Sequence, residues 1–176
     1  MKEKGSEIKE LIQEYLLDEG LLRNKLPDTE SKLEFGFQFV FPPGPVSQKM
    51  VVLKPKAKDL IIISNPIQIA PQHIEALNSI DPNKKVQFFM ELRKFFLAKD
   101  VFYRIDNQNN RYEITDQIFL KKDGTISKNS FFNSIRKVFT CSAFSNIILN
   151  EFCYGKAKVE DDSKSDEFTS NFSLYS

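Results

Sequence analysis

The sequence predicts an α+β fold in which an antiparallel sheet is covered by helices, and three features carry that expectation. Leu33 to Phe41 alternates large apolar residues with polar or smaller ones. Two long segments, opened by Asp81-Pro82 and by Ser127, repeat apolar residues at helical spacing. The strand-like segments come in groups joined by short turns, which suits a three-strand meander plus a hairpin rather than parallel crossovers. The expected order is α-βββ-α-ββ-α.

The first helix is expected from Ser6 to Glu19. Ile8, Leu11, Ile12, Tyr15 and Leu16 form one apolar stripe, Ser6 suits an N-cap, and Gly20 suits the stop. The first strand is Leu33 to Phe41. Period two places Leu33, Phe35, Phe37, Phe39 and Phe41 on one face, pointing inward beneath helices. Pro42-Pro43-Gly44-Pro45 ends it in a stiff turn. Lys49 to Lys54 and Leu60 to Ser64 read as two more strands around the turn Pro55–Asp59. Pro66 and Pro71 then frame a loop, and Pro71 opens a short helix to Leu77 or Asn78.

Asp81-Pro82 supplies an N-cap and a proline at the first helical position, starting a helix to about Lys99. Its apolar residues, Val86 to Leu97, cover more than a narrow stripe, so contact from two sides is expected. Val101 to Ile105 and Arg111 to Leu120 form a hairpin around an Asp/Asn-rich turn. The last helix starts at Ser127 and runs to about Phe152, with Phe131, Phe132, Ile135, Val138, Phe139, Phe144, Ile147, Ile148, Leu149 and Phe152 on its buried side.

Residues 1–154 are therefore one α+β domain, and 155–176 read as a disordered acidic, Ser-rich tail. The tail holds three lysines against five acids, a net of −2, which leaves +3 for the domain in a chain of formal charge +1. That is too weak a field to mark nucleic-acid binding by itself. The start is charged and no apolar run approaches the ~20 residues of a membrane span, so a cytoplasmic protein with no membrane contact is expected. Cys141 and Cys153 lie 12 residues apart on one predicted helix. That is roughly 18 Å at ~1.5 Å per residue, too far for a disulfide.

The chemistry-bearing inventory is thin. His73 is the only histidine, and no CxxC, HxxxH, GxGxxG or GxxxxGK pattern occurs, so no metal or cofactor is expected. Asp123-Gly124-Thr125 with Ser127 reads as a turn and an N-cap rather than an anion site. Glu113 and Asp116 have opposite parity on one strand and cannot form a close dyad. Asp116 shares parity with Ile114 and Ile118, so it needs a buried partner unless the strand bulges or ends there. An unfamiliar enzyme would need a deep polar pocket around His73 or Asp116.

Two surface candidates remain. Lys49, Lys54, Lys56 and Lys58 cluster across one strand and its turn. Joined by Lys121 and Lys122, or by Arg93 and Lys94, they could form an anion- or nucleic-acid-binding patch; the alternative is a solvated face. Phe168, Phe172, Leu174 and Tyr175 lie in the acidic tail and suit a short linear motif, a segment docking on its own domain, or neither.

At finer grain, several stretches resemble the archaeal family catalogued as domain of unknown function 2299. They are Leu16-Leu17-Asp18-Glu19-Gly20, Lys54-Pro55-Lys56-Ala57-Lys58-Asp59 before Ile61-Ile62-Ile63, and Ala70-Pro71-Gln72-His73. Ala76 through Asp81-Pro82 into the Phe-rich helix, and Asp123-Gly124 entering Phe131-Phe132, continue the likeness over roughly residues 6–150. The resemblance implies a type III secretion chaperone-like fold and an archaeal, cytoplasmic setting, but no activity. The leading expectation is a non-enzymatic protein-interaction module, chaperone-like, with an unidentified protein partner or a homodimer. A nucleic-acid or anion-binding protein using the four lysines is the alternative.

Overall fold

Strands pair in the order β1-β2-β3-β4-β6-β5, every neighbouring pair antiparallel. They are β1 (Leu22–Lys25), β2 (Leu33–Phe41), β3 (Gln48–Pro55), β4 (Leu60–Gln68), β5 (Phe102–Asp106) and β6 (Arg111–Phe119). The helices are α1 (Lys2–Asp18), α2 (Pro71–Ser79), α3 (Pro82–Ala98) and α4 (Lys128–Tyr154). This computed structural model describes residues 2–27, 32–56 and 58–155. The tail candidates Phe168, Phe172, Leu174 and Tyr175, with the expected disorder beyond Gly155, lie outside the described residues.

The period-two run holds from Phe35 to Phe41, with Phe41 only partly buried. The register shifts between Leu33 and Phe35, and Leu33 is half-buried outside the core, which corrects its expected place on that face. Phe35, Phe37 and Phe39 are buried, and they join Ile8, Ile12 and Leu16 of α1 in a core shared with α3 and α4. Phe88, Leu92 and Phe96 of α3 and Phe131, Ile135 and Val138 of α4 complete it. Fully burying each such side chain contributes roughly 1.5–3 kcal/mol. The core lies wholly between the sheet and its helices, so one sheet face is covered.

Helix ends follow local chemistry. Asp81 Oδ1 accepts the Asn83 amide at 2.7 Å, and Ser127 Oγ accepts the Ser130 amide at 3.1 Å. At the end of α1, Gly20 has φ +65°, and the Leu21 amide donates to the Leu16 carbonyl at 2.8 Å. The end of α3 repeats this arrangement with Asp100 at φ +52° and the Val101 amide on the Phe96 carbonyl at 3.3 Å.

Five further expectations are corrected. α1 begins at Lys2, so Ser6 lies inside it rather than capping it. The sheet has a sixth strand, β1, whose Leu-Arg-Asn-Lys sequence is mostly exposed and has no apolar alternation to announce it. Pro66 lies within β4 and pairs with Glu113. β4 pairs with β3 only through Ile62, Ile63 and Ser64, so at Pro66 that edge has left the ladder and needs no amide donor. α3 is not covered from two sides, because Val86, Met90 and Leu97 are exposed. On α4, Phe144 and Ile147 are likewise exposed, although Phe144 stacks on Phe95 at 4.3 Å between ring centroids.

Candidate functional site

The face of the sheet turned away from the helices has no covering helix among the described residues. Strand pleating assigns its residues. Ile61 and Ile63 of β4 and Tyr112 and Ile114 of β6 point into the core, so the alternate positions point outward. Those are Leu60, Ile62 and Ser64 on β4, with Thr115, Gln117 and Phe119 opposite them on β6. Leu60 and Ser64 are themselves buried, so the open part of the row is at Ile62 and on β6. Register extends the face to Val51 and Leu53 of β3 and to Phe102 and Arg104 of β5. Phe119 is 73% exposed and Phe102 59% exposed. Two large aromatic side chains that gain so little burial have no role in holding this domain together.

One corner of this face is closed by its own chain. A Cβ on Gly36 would sit 3.2 Å from Leu26 Cβ and 3.2 Å from Leu53 Cδ2. The absence of a side chain at Gly36 lets Leu26 fold down beside Leu53, and the Leu26 amide donates to the Gly36 carbonyl at 2.9 Å.

At the far end the face is charged. Pro66, Gln68, Arg104, Arg111 and Glu113 line a shallow cleft of about 380 Å³. Arg111 Nε pairs with Asp106 Oδ2 at 3.1 Å, and Ser64 Oγ donates to Glu113 Oε1 at 2.5 Å. Asp106 also accepts from the Asn109 side chain and amide, and these bonds, the side-chain one foremost, hold its carboxyl below the usual range.

The four lysines do not form one patch. Lys54 is on the covered face, 4% exposed. Its Nζ pairs with Glu34 at 3.1 Å and donates to the carbonyls of Lys58 at 2.7 Å and Pro55 at 3.2 Å. It therefore ties the β3–β4 turn together, and the surface role expected of it is corrected. Lys49 stands at the opposite end of β3 from Pro55, roughly 20 Å away at ~3.3 Å per residue. Lys56 and Lys58 are exposed in the turn. Lys121 joins their end of the sheet, because the Leu120 amide donates to the Asp59 carbonyl at 3.0 Å. Arg93 and Lys94 are on α3, in the helix layer.

The other candidate groups have structural partners. Asp116 lies in an unbroken stretch of β6 and faces α4, where Ser134 Oγ donates to Oδ2 at 2.7 Å and Lys137 Nζ to Oδ1 at 3.1 Å. Glu113 and Asp116 thus occupy opposite faces, as their parity predicts. The His73 ring packs on Tyr154 with centroids 5.6 Å apart, and its carbonyl accepts from Cys153 Sγ at 3.7 Å. Burial raises the pKa of both thiols, so neither is primed as a nucleophile.

Beneath α4 a polar network crosses the core. Tyr112 and Ser145 share a hydroxyl–hydroxyl bond, and Ser145 donates to the Ser142 carbonyl at 2.7 Å. Ser142 Oγ donates to Gln48 Oε1 at 2.6 Å, which also accepts from Asn65 Nδ2 at 2.8 Å. These bonds join β3, β4, β6 and α4 and leave no buried side-chain polar atom unpaired among the described residues. Among those residues there is also no cluster of ligating side chains suited to a metal, and no helix long and apolar enough to cross a membrane.

A family model described as "Uncharacterized conserved protein (DUF2299)" matches residues 8–149. The fold is similar to a crystal structure of an uncharacterized protein from Methanothermobacter thermautotrophicus, with a TM-score of 0.73 and 24% identity. That likeness covers 82% of this chain and 98% of the other. No curated protein is a match.

Proposed function

The chain belongs to this family of uncharacterized conserved proteins, and we propose that it is a non-enzymatic protein-interaction module, chaperone-like in holding an apolar segment of another protein. One observation carries the reading. Among the described residues the sheet has helices on one face only, and its other face bears exposed Phe102 and Phe119 among half-buried Val51, Leu53 and Ile62. Exposed aromatics beside half-buried aliphatics are the composition of an interface centre. The type III secretion chaperone-like fold belongs to the same proposal; the order α-ββββ-αα-ββ-α keeps the expected succession of blocks, with one more strand and one more helix. A reducing, cytoplasmic setting suits the two unpaired cysteines.

The test is affinity capture with the full chain and with Phe102→Glu/Phe119→Glu. A protein held by the first and released by the second supports the module. Identical captures from both, or none from either, would overturn it. Sedimentation of the same pair separates a homodimer through this face, since only the unsubstituted chain would then self-associate.

A second reading has its own observation. Phe119 is exposed at the same end of the sheet as Lys58 and Lys121, which joins an aromatic stacking surface to cations. Single-stranded nucleic acid bound there would be released by salt and by Lys58→Glu/Lys121→Glu. Salt-independent retention would remove this alternative.

A further inference from the structure

The outer side of α3 carries an apolar line that no described part of the chain covers. Val86 and Leu97 are 63% and 68% exposed, and Met90 is 42% exposed. Their spacing, i, i+4 and i+11, puts them in one row opposite buried Phe88, Leu92 and Phe96. Arg93 and Lys94 flank the row; Arg93 donates toward Met90 Sδ at 3.7 Å, and Lys94 pairs with Glu91 at the surface. With Lys84 and Lys85, the helix holds four cations against one acid, a net of +3.

The chain provides a complementary segment that starts nearby. α4 ends at Tyr154, and Gly155 and Phe152 share a cleft of about 420 Å³ with Ile80, Lys84 and Gln87. Gly155, the last described residue, therefore lies beside Lys84 and Gln87 in the first turns of α3. Residues 156–176 hold five acids against three lysines, a net of −2, together with Phe168, Phe172, Leu174 and Tyr175. Phe168 lies thirteen steps along the chain from Gly155, a reach of up to roughly 43 Å at ~3.3 Å each. α3 has 17 residues and is about 25 Å long, so its whole row lies within that reach. Phe168 and Phe172 are also separated by the same step of four as Val86 and Met90. The open sheet face lies behind the helix layer from Gly155 and does not begin beside it.

We propose that residues 156–176 dock in cis on the outer side of α3. The aromatic side chains cover Val86, Met90 and Leu97, and the acids face Lys84, Arg93 and Lys94. The contact is separate from the sheet face and stands whether or not that face takes a partner.

The test places the photo-crosslinking residue p-benzoylphenylalanine at Phe172 in the full chain, irradiates at low concentration and maps the product by mass spectrometry. An intramolecular crosslink into residues 86–97, lost in Val86→Glu/Leu97→Glu, supports the proposal. Crosslinks to a second copy, to the strands bearing Phe102 and Phe119, or to nothing would overturn it. Hydrogen exchange gives an arm that leaves the folded domain unaltered. In Phe168→Ser/Phe172→Ser, protection should fall selectively in α3, and unchanged α3 exchange would overturn the docking.

Discussion

The Tyr112 hydroxyl lies 2.8 Å from Ser145 Oγ, both side chains buried between β6 and α4. Burial pushes the Tyr112 phenol up to about 12, opposed by its bond to Ser145. The folded pKa exceeds the ordinary value of 10.0, so the folded state keeps this proton while the unfolded chain releases it. The associated stability is fully present below pH 10 and is lost as pH rises toward 12, a loss of about 3 kcal/mol. Urea unfolding at stepped alkaline pH should show that decline, and Tyr112→Phe should flatten it. At neutral pH the same substitution should cost about 1 kcal/mol for the lost hydrogen bond.

Asp116 is held by Ser134 and Lys137 from α4. Asp116→Ala leaves the half-buried Lys137 ammonium without its nearest anion and should destabilise the domain by about 2 kcal/mol. A double-mutant cycle of Asp116→Ala with Ser134→Ala should reveal coupling of about 1 kcal/mol. Strict additivity in denaturant titrations would show that the three groups do not act as a unit.

Two helix ends use one geometry with different residues. Gly20 occupies the left-handed position after α1 at no steric cost, while Asp100 occupies it after α3. Asp100→Gly should therefore raise stability by about 1 kcal/mol. Gly20→Ala should lower it by a similar amount. No atom lies within 4 Å of a Cβ added at Gly20, so the loss there is purely conformational. Opposite shifts in melting temperature are the expected readout.

Lys54 and Lys49 are both lysines on β3, yet substitution should separate them. Lys54→Ala removes an ion pair and two carbonyl contacts from a buried site and should cost about 2–3 kcal/mol. Lys49→Ala alters an exposed side chain and should stay within ~0.5 kcal/mol. Comparing their denaturation midpoints checks both.

Much of the architecture was legible because local and tertiary demands agree. β2 declares itself through five large side chains of one parity, and α3 through a proline preceded by its cap. β1 was silent because a short, exposed edge strand needs no apolar alternation. Pro66 misled because its missing amide falls where β3 has already parted from β4. The lysine patch was misread although parity held the signal: Lys54 shares its side of β3 with buried Met50 and Val52. Likewise Phe102 and Phe119 fall out of step with Tyr103 and Tyr112, which marks them as outward. Their lack of cover depends on where every helix packs, and periodicity within a strand does not report that.

The Gly36 corner has a consequence for what the domain can receive. With Leu26 roofing the β1–β2 end, the accessible strip spans β3, β4, β6 and β5, three inter-strand spacings of ~4.8 Å, or roughly 14 Å across. A single α-helix, about 10–12 Å in diameter, fits such a trough lengthwise. A second six-stranded sheet laid flat would overhang it. A side chain at position 36 would press on Leu26 and Leu53 at about 3.2 Å, so this glycine lets the roof close at its present height and helps set the calibre of the admissible guest.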